Sequence, residues 1–253
     1  MPPLLLAYAA LAVLDLTGVA LHAEWLEWVT KPLLAPLLAA HLWRAAGRAH
    51  PPVLAGLALA TAGDVLLLVP GRAAFLAGTA CFLGTQLCYL AAFAHQGALA
   101  HLRARPWLYG GALAVWAAAN AALVPQLGPL ALVVAPYSLA LVAMASAADV
   151  LRPLATLGGG LFVASDLLVG LGVAGVEFTG RRVLVMATYA AAQYLITEAF
   201  VRTALTGRPG PSSPPTSRCA AGRTGTPAPA APRPGPPTPS SGRTPPRRRP
   251  SPR

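Results

Sequence analysis

The sequence predicts an all-α membrane protein, a polytopic bundle of about eight transmembrane helices with a disordered basic C-terminal tail. Three observations predict it. Apolar stretches close to the roughly 20 residues that cross a bilayer as a helix recur at about 3–21, 31–45, 53–69, 73–94, 107–123, 129–149, 154–174 and 183–203. Charged residues make up only 11% of the chain, less than half the share of about 25% found in soluble domains. Near residue 206 the composition turns abruptly to Pro, Ser, Thr, Gly and Arg.

The spans follow one another through loop-like breaks. The first lacks a basic n-region, and Leu21-His22-Ala23 makes a poor cleavage site, so it reads as a retained helix rather than a signal peptide. Breaks follow at Pro51-Pro52, Pro70-Gly71-Arg72, His101 to Pro106, Pro125 to Pro129, Arg152-Pro153 and Glu177 to Arg182. Within lipid a backbone must satisfy its own hydrogen bonds, which makes these runs helices. The expected division is a transmembrane domain over 1–205 and a Pro/Arg-rich tail over 206–253.

Charge is unevenly placed. All eight acids precede residue 200, while residues 207–253 hold nine arginines and no acid, so the net +11 leaves +2 for the first 206 residues. Such a tail has too few large apolar groups to offset the entropy of ordering. Contact with anionic lipid headgroups is its expected role beyond solvation, strongest at Arg247-Arg248-Arg249; nucleic acid is not an expected partner. With the N-terminus inside, Arg44, Arg48, Arg103, Arg105 and Arg152 fall in inner loops and Arg72, Arg181 and Arg182 in outer ones. By the positive-inside rule both termini are expected in the cytoplasm, with the plasma membrane as the expected location. Cys81, Cys88 and Cys219 read as free thiols. The histidines at 22, 41, 50, 95 and 101 lack ligand spacing, so no metal and no cofactor is expected. Oligomeric state is not legible.

Ionisable groups inside spans are costly and so mark function. Asp15, Asp64 and Asp166 each lie about twelve residues into the first, third and seventh spans, which run in one direction. At 1.5 Å per residue they reach similar depth. Lys31 opens the second span, and Tyr137, Tyr189 and Gln193 enter early in the sixth and eighth, from the same side. A shared polar cavity is the expectation. Asp15 reads more readily as a lock between helices, and Glu198 with Arg202 as a structural i, i+4 ion pair.

In the fourth span, Phe75, Gly78, Phe82, Gln86 and Tyr89 share one helical face. Gly158-Gly159-Gly160 reads as close helix contact. An internal duplication is also visible: Ala62 to Leu67 resembles Ala164 to Val169, and Phe82 to Phe93 resembles Tyr189 to Phe200. The offset is 102 between the aspartates (166 − 64) and 107 between Gln86 and Gln193 (193 − 86). A parallel four-plus-four repeat follows, with the two aspartates as related positions.

Trp28-Val29-Thr30-Lys31-Pro32-Leu33 followed by Gly63-Asp64, then Phe75, Gly78, Phe82 and Tyr89, then Gly160 to Asp166 with its Phe-x-x-Ser-Asp pattern, then Tyr189 and Gln193, form an ordered series over about residues 1–205. This series resembles the YhhN family of lysoplasmalogenase-like integral membrane proteins. The family commonly has histidine where this chain has Gln86. The resemblance implies an ether hydrolase that cleaves the vinyl-ether bond of a lysoplasmalogen, a lysophospholipid substrate, to a fatty aldehyde and a glycerophospho-alcohol.

Vinyl ethers hydrolyse through protonation of the β-carbon and capture of an oxocarbenium ion by water, and glycosidases use paired carboxylates on a related cation. Asp64 and Asp166 are the expected catalytic pair. Lys31 is expected to bind the phosphate or tune the nearer aspartate, and Tyr137, Tyr189, Gln193, Gln86 and Tyr89 to line the substrate. The competing class is a small lipid or solute carrier using the same polar interior, which would show helix breaks in corresponding spans. Pro36 reads as the only internal break, with no counterpart in the sixth span. A third class is a regulatory membrane protein that acts through its tail.

Overall fold

A computed structural model of the chain describes residues 3–47, 50–127 and 131–207. Among them there are helices and no strands: α1 (Pro3–Leu21), α2 (Glu24–Ala46), α3 (Pro51–Leu68), α4 (Arg72–His95), a short α5 (Ala98–Arg103), α6 (Pro106–Leu127), α7 (Ala131–Ala147) continued by a 3-10 turn (Ala148–Leu151), α8 (Leu154–Val173) and α9 (Arg181–Leu205). Six of these, α1, α3, α4, α7 with its 3-10 turn, α8 and α9, are long and apolar enough to cross a membrane. The other two long helices are α2 and α6. Helix α2 carries Glu24, Glu27, Lys31, His41 and Arg44, and α6 carries Asn120 and Gln126.

The protein is an all-α, multi-pass membrane bundle, and its outer surface agrees. Val13, Val115, Leu132, Leu157 and Leu184 stand exposed, as lipid-facing side chains do. Trp25, Trp28 and Trp107 stand exposed near the starts of α2 and α6, where an interfacial aromatic belt belongs.

Several boundaries differ from expectation for identifiable reasons. Helix α2 begins at Glu24, so Lys31 sits two turns inside it instead of opening it. Its first turn holds two acids, which suit the positive end of a helix dipole but hide it from a hydropathy reading. Pro51 and Pro52 are the first turn of α3, where a missing N–H costs nothing, and not a break before it. The 101–106 loop contains part of α5. Helix α7 carries Pro136 and α2 carries Pro32 beside Pro36. The reading of Pro36 as an isolated internal proline is therefore wrong, although both helices run unbroken through their prolines. The loop arginine Arg48, the tail with its Arg247 to Arg249, and Cys219 lie outside the described residues. Cys81 and Cys88 are free thiols.

Part of the packing has the form of a parallel repeat, although α1 packs on α9 without a comparable α6–α4 contact among the described residues. Helices α1 to α4 pack in sequence, and α6 to α9 do the same. Across the halves α2 packs on α9 and α7 packs on α4, which are equivalent pairs under the repeat. Equivalent residues also meet directly. The Phe82 and Tyr189 rings are 5.7 Å apart edge to face, and Phe93 stacks on Phe200 at 5.2 Å, as positions beside a two-fold axis do. The same close approach recurs within each half. A Cβ on Gly56 would stand 2.5 Å from the Tyr89 ring, and one on Gly158 would stand 2.9 Å from Ile196, the counterpart of Tyr89. Gly159 similarly lets α8 approach Ala145, whereas nothing lies within 4 Å of a Cβ on Gly160.

Candidate functional site

The face of α4 that carries Phe82, Gln86 and Tyr89 is buried and looks toward α9. Gly63, next to Asp64 on α3, makes room for the Phe82 ring, whose atoms would lie 2.8 Å from a Cβ at that position. Tyr189 then stands between Phe82 of α4 and Phe162 of α8, edge to face with both at 5.7 and 5.9 Å. Each such pair contributes about 0.5–1.5 kcal/mol beyond burial. The two rings fix the direction of the phenol, so its hydroxyl meets the carboxylate.

From that anchor two hydrogen-bonded sets extend. Tyr189 donates to Asp64 Oδ2 at 2.8 Å, Gln193 Nε2 donates to the Tyr189 hydroxyl at 3.2 Å, and the Tyr89 hydroxyl donates to Gln193 Oε1 at 2.5 Å. In the second set Tyr137 donates to Asp166 Oδ2 at 2.6 Å and Gln86 Nε2 to the same oxygen at 3.2 Å. Gln86 and Tyr89 lie three residues apart on α4, so one helix face touches both sets. Among the described residues neither Asp64 Oδ1 nor Asp166 Oδ1 has a protein partner, and Gln86 Oε1 is buried with none. Asp64 is 4% exposed and Asp166 is half-buried.

The structure thus places seven of the eight side chains expected at the site in these two hydrogen-bonded sets. Lys31 is the exception. Its ammonium pairs with Glu27 at 3.4 Å. Glu27 is buried and also receives Arg182 of α9 at 3.0 Å. A second span taken to begin at about 31 leaves out Glu27, which lies in the first turn of α2. Asp15 behaves as the expected lock, taking the Thr30 hydroxyl of α2 at 2.7 Å. Its Oδ2 is nevertheless buried without a partner. Thr30 and Tyr8, whose hydroxyl bonds the Ala190 carbonyl at 2.7 Å, complete the polar interior and were not singled out from sequence. Thr30 stood in a quoted motif beside Lys31, which was the available signal.

Around Asp64 the Tyr189 ring packs against Phe82 and Phe162, and two cavities lie at other places in the bundle. One of about 380 Å³ is lined by His50, Pro51, Pro52, Ala55, Ala92, His95 and Gln96. The other, of about 570 Å³, is lined by Asp149, Arg152 and α8. Glu198 holds Arg202 at 3.1 Å as a structural pair and also approaches His41 at 3.4 Å. Among the described residues no group of three or more His, Cys, Asp or Glu has the arrangement of a metal centre.

Compared with known families, residues 26–200 match the model of the YhhN family. No curated protein and no solved structure matches the chain.

Proposed function

Because this chain belongs to the YhhN family, we propose that it is a membrane-embedded ether hydrolase. It cleaves the vinyl-ether bond of lysoplasmalogen-type lipids to a fatty aldehyde and a glycerophospho-alcohol. One observation carries the reading: Asp64 and Asp166 each have one oxygen fixed by a tyrosine and the other without a protein partner. Each carboxyl is oriented and still has an atom to offer.

The chemistry needs two such groups. A protonated carboxyl delivers H⁺ to the β-carbon of the alkenyl ether, and the electron pair of the C=C bond forms the new C–H bond. The resulting oxocarbenium ion carries positive charge, which an ionised carboxylate stabilises while it orients water. Water adds at the α-carbon and loses a proton. The hemiacetal then collapses, with the C–O bond to glycerol breaking and a proton passing to the departing oxygen. Tyr189 and Tyr137 hold the two carboxyls through the cycle, and Gln86 supplies an N–H to Asp166. Lys31, with Glu27 and Arg182 beside it, places a charged group for the phosphate. In this reading the alkenyl chain lies between helices, and both termini face the cytoplasm of a plasma-membrane protein. The competing reading is a lipid or solute carrier, which corresponding prolines in α2 and α7 favour and the continuity of both helices opposes.

The test is aldehyde release from a lysoplasmalogen by purified full-length protein in detergent, beside Asp64→Asn and Asp166→Asn. Release abolished by both variants supports the reading. Near-normal release from either folded variant removes the carboxylate pair, and no release from wild type and from Gln86→His assigns the fold to another substrate or to carriage.

A further inference from the structure

Before the start of α8 a second polar cluster surrounds Asp149, in the 3-10 turn. Asp166 lies farther along the same helix, about 20 Å from Arg152 at 1.5 Å per residue, so this cluster is separate from the aspartate site. Asp149 Oδ1 receives Arg152 Nε at 2.6 Å and the Thr156 hydroxyl at 3.2 Å. Its Oδ2 receives Arg152 Nη2 at 2.7 Å, His101 Nε2 at 2.8 Å, the Tyr109 hydroxyl at 3.3 Å and, as an ion pair, Arg105 Nη1 at 3.5 Å.

A carboxylate offers about four lone-pair sites, so these donors exceed what Asp149 accepts. Among the described residues Arg152 Nη1 has no partner, and the Arg152 and Arg105 side chains are 51% and 39% exposed. Arg103 stands exposed on the adjacent α5. Among the described residues Asp149 therefore faces two arginines, Arg105 and Arg152, with Arg103 on the neighbouring helix.

Below the charges the surface turns apolar. A groove of about 570 Å³ starts at Asp149 and Arg152 and runs past Pro153 and Thr156 to Leu157, Gly160 and Leu161. Residues 153, 156, 157, 160 and 161 share one face of α8. Leu157 is exposed on that face, and no atom lies within 4 Å of a Cβ on Gly160, so the missing side chain leaves a notch. Surplus positive charge at the membrane edge above an apolar channel running into the bilayer matches an amphiphile with an anionic head. Basic pockets between transmembrane helices take such headgroups.

We propose that this groove binds an anionic glycerophospholipid of the surrounding leaflet, with its phosphate at Arg105 and Arg152 and one chain along Leu157, Gly160 and Leu161. The site does not depend on the hydrolase reading. Full-length protein in detergent is titrated by native mass spectrometry with phosphatidylglycerol, with phosphatidylcholine of the same chains, and with glycerol phosphate.

Wild type is expected to bind phosphatidylglycerol several-fold more tightly than phosphatidylcholine. Arg105→Gln weakens phosphatidylglycerol about five-fold, the effect of one basic residue near a membrane surface. Gly160→Leu fills the notch without changing charge and weakens both lipids. The tail arginines are common to every variant, so the differences report the groove. If Arg105→Gln does not fold, Gly160→Leu carries the test alone. Equal affinity for the two lipids, unchanged affinity in Gly160→Leu, or glycerol phosphate binding as tightly as lipid would each overturn the proposal.

Discussion

Replacing Tyr189 by Phe removes one hydroxyl and keeps the ring between Phe82 and Phe162. Two hydrogen bonds disappear with that oxygen, the one to Asp64 at 2.8 Å and the one from Gln193 at 3.2 Å. In soluble proteins a stranded buried group costs about 1–3 kcal/mol. Inside membrane proteins measured interhelical hydrogen bonds average about 0.6 and reach about 1.7 kcal/mol, because the unfolded chain also finds partners. The membrane figure applies here and gives a loss of about 1–3 kcal/mol for the two together.

Unfolding by dodecyl sulfate in mixed micelles, followed by tryptophan fluorescence, measures it. Tyr89→Phe completes a cycle, since the Tyr89 hydroxyl meets Tyr189 only through Gln193. A Gln193 released by one change is free to re-pair, so the double variant should depart from additivity by about 0.5 kcal/mol or more. Aldehyde release should fall at least about ten-fold in Tyr189→Phe, the equivalent of 1.4 kcal/mol at the transition state, because Asp64 loses its one donor. Unchanged stability together with strict additivity would refute the idea that the hydroxyl ties α9 to α3 and α4.

Two further outcomes follow from the packing and from the loop before α3. Gly63→Ala puts a methyl 2.8 Å from the Phe82 ring and should cost about 1–3 kcal/mol as overpacking, whereas Gly160→Ala should change thermal stability little; equal effects would discount the close approach of α3 and α4. His50, outside the spans, packs its ring on Phe200 at 5.1 Å, and burial holds its pKa below the ordinary value despite the opposing influence of the Phe200 backbone. The folded state therefore takes up a proton less readily than the unfolded one. The contribution of His50 is intact above the unfolded value of about 6.5 and is lost as pH falls below it toward the lower folded value. In unfolding midpoints recorded from pH 7.5 to 5.5, His50→Asn should flatten part of that decline, and an unchanged slope would contradict the assignment.

The spans were legible because lipid leaves a chain few choices: a run of apolar residues of that length becomes a helix. Asp64 and Asp166 were legible for the same reason, as charges at similar depth in spans of the same direction. The start of α2 was not, because Glu24 and Glu27 look like a loop in sequence. Only the fold shows Glu27 buried between Lys31 and Arg182. The cluster around Asp149 was equally hidden. Its donors come from α5, α6, the 3-10 turn and α8, and no spacing along the chain announces that they converge.

The relation between the two halves bears on how two carboxyls at matched places come to have different hydrogen-bond partners. Here the surroundings have drifted apart at matched places. The counterpart of Tyr189 is Phe82, which has no hydroxyl to give Asp166. Gln86 bonds Asp166 directly, while its counterpart Gln193 reaches Asp64 only through Tyr189. A phenol present in one copy and absent from the other has put the same glutamine one step nearer its acid on one side than on the other. The acids thus stand at matched places, and a few side chains that differ between the halves give each its own partners.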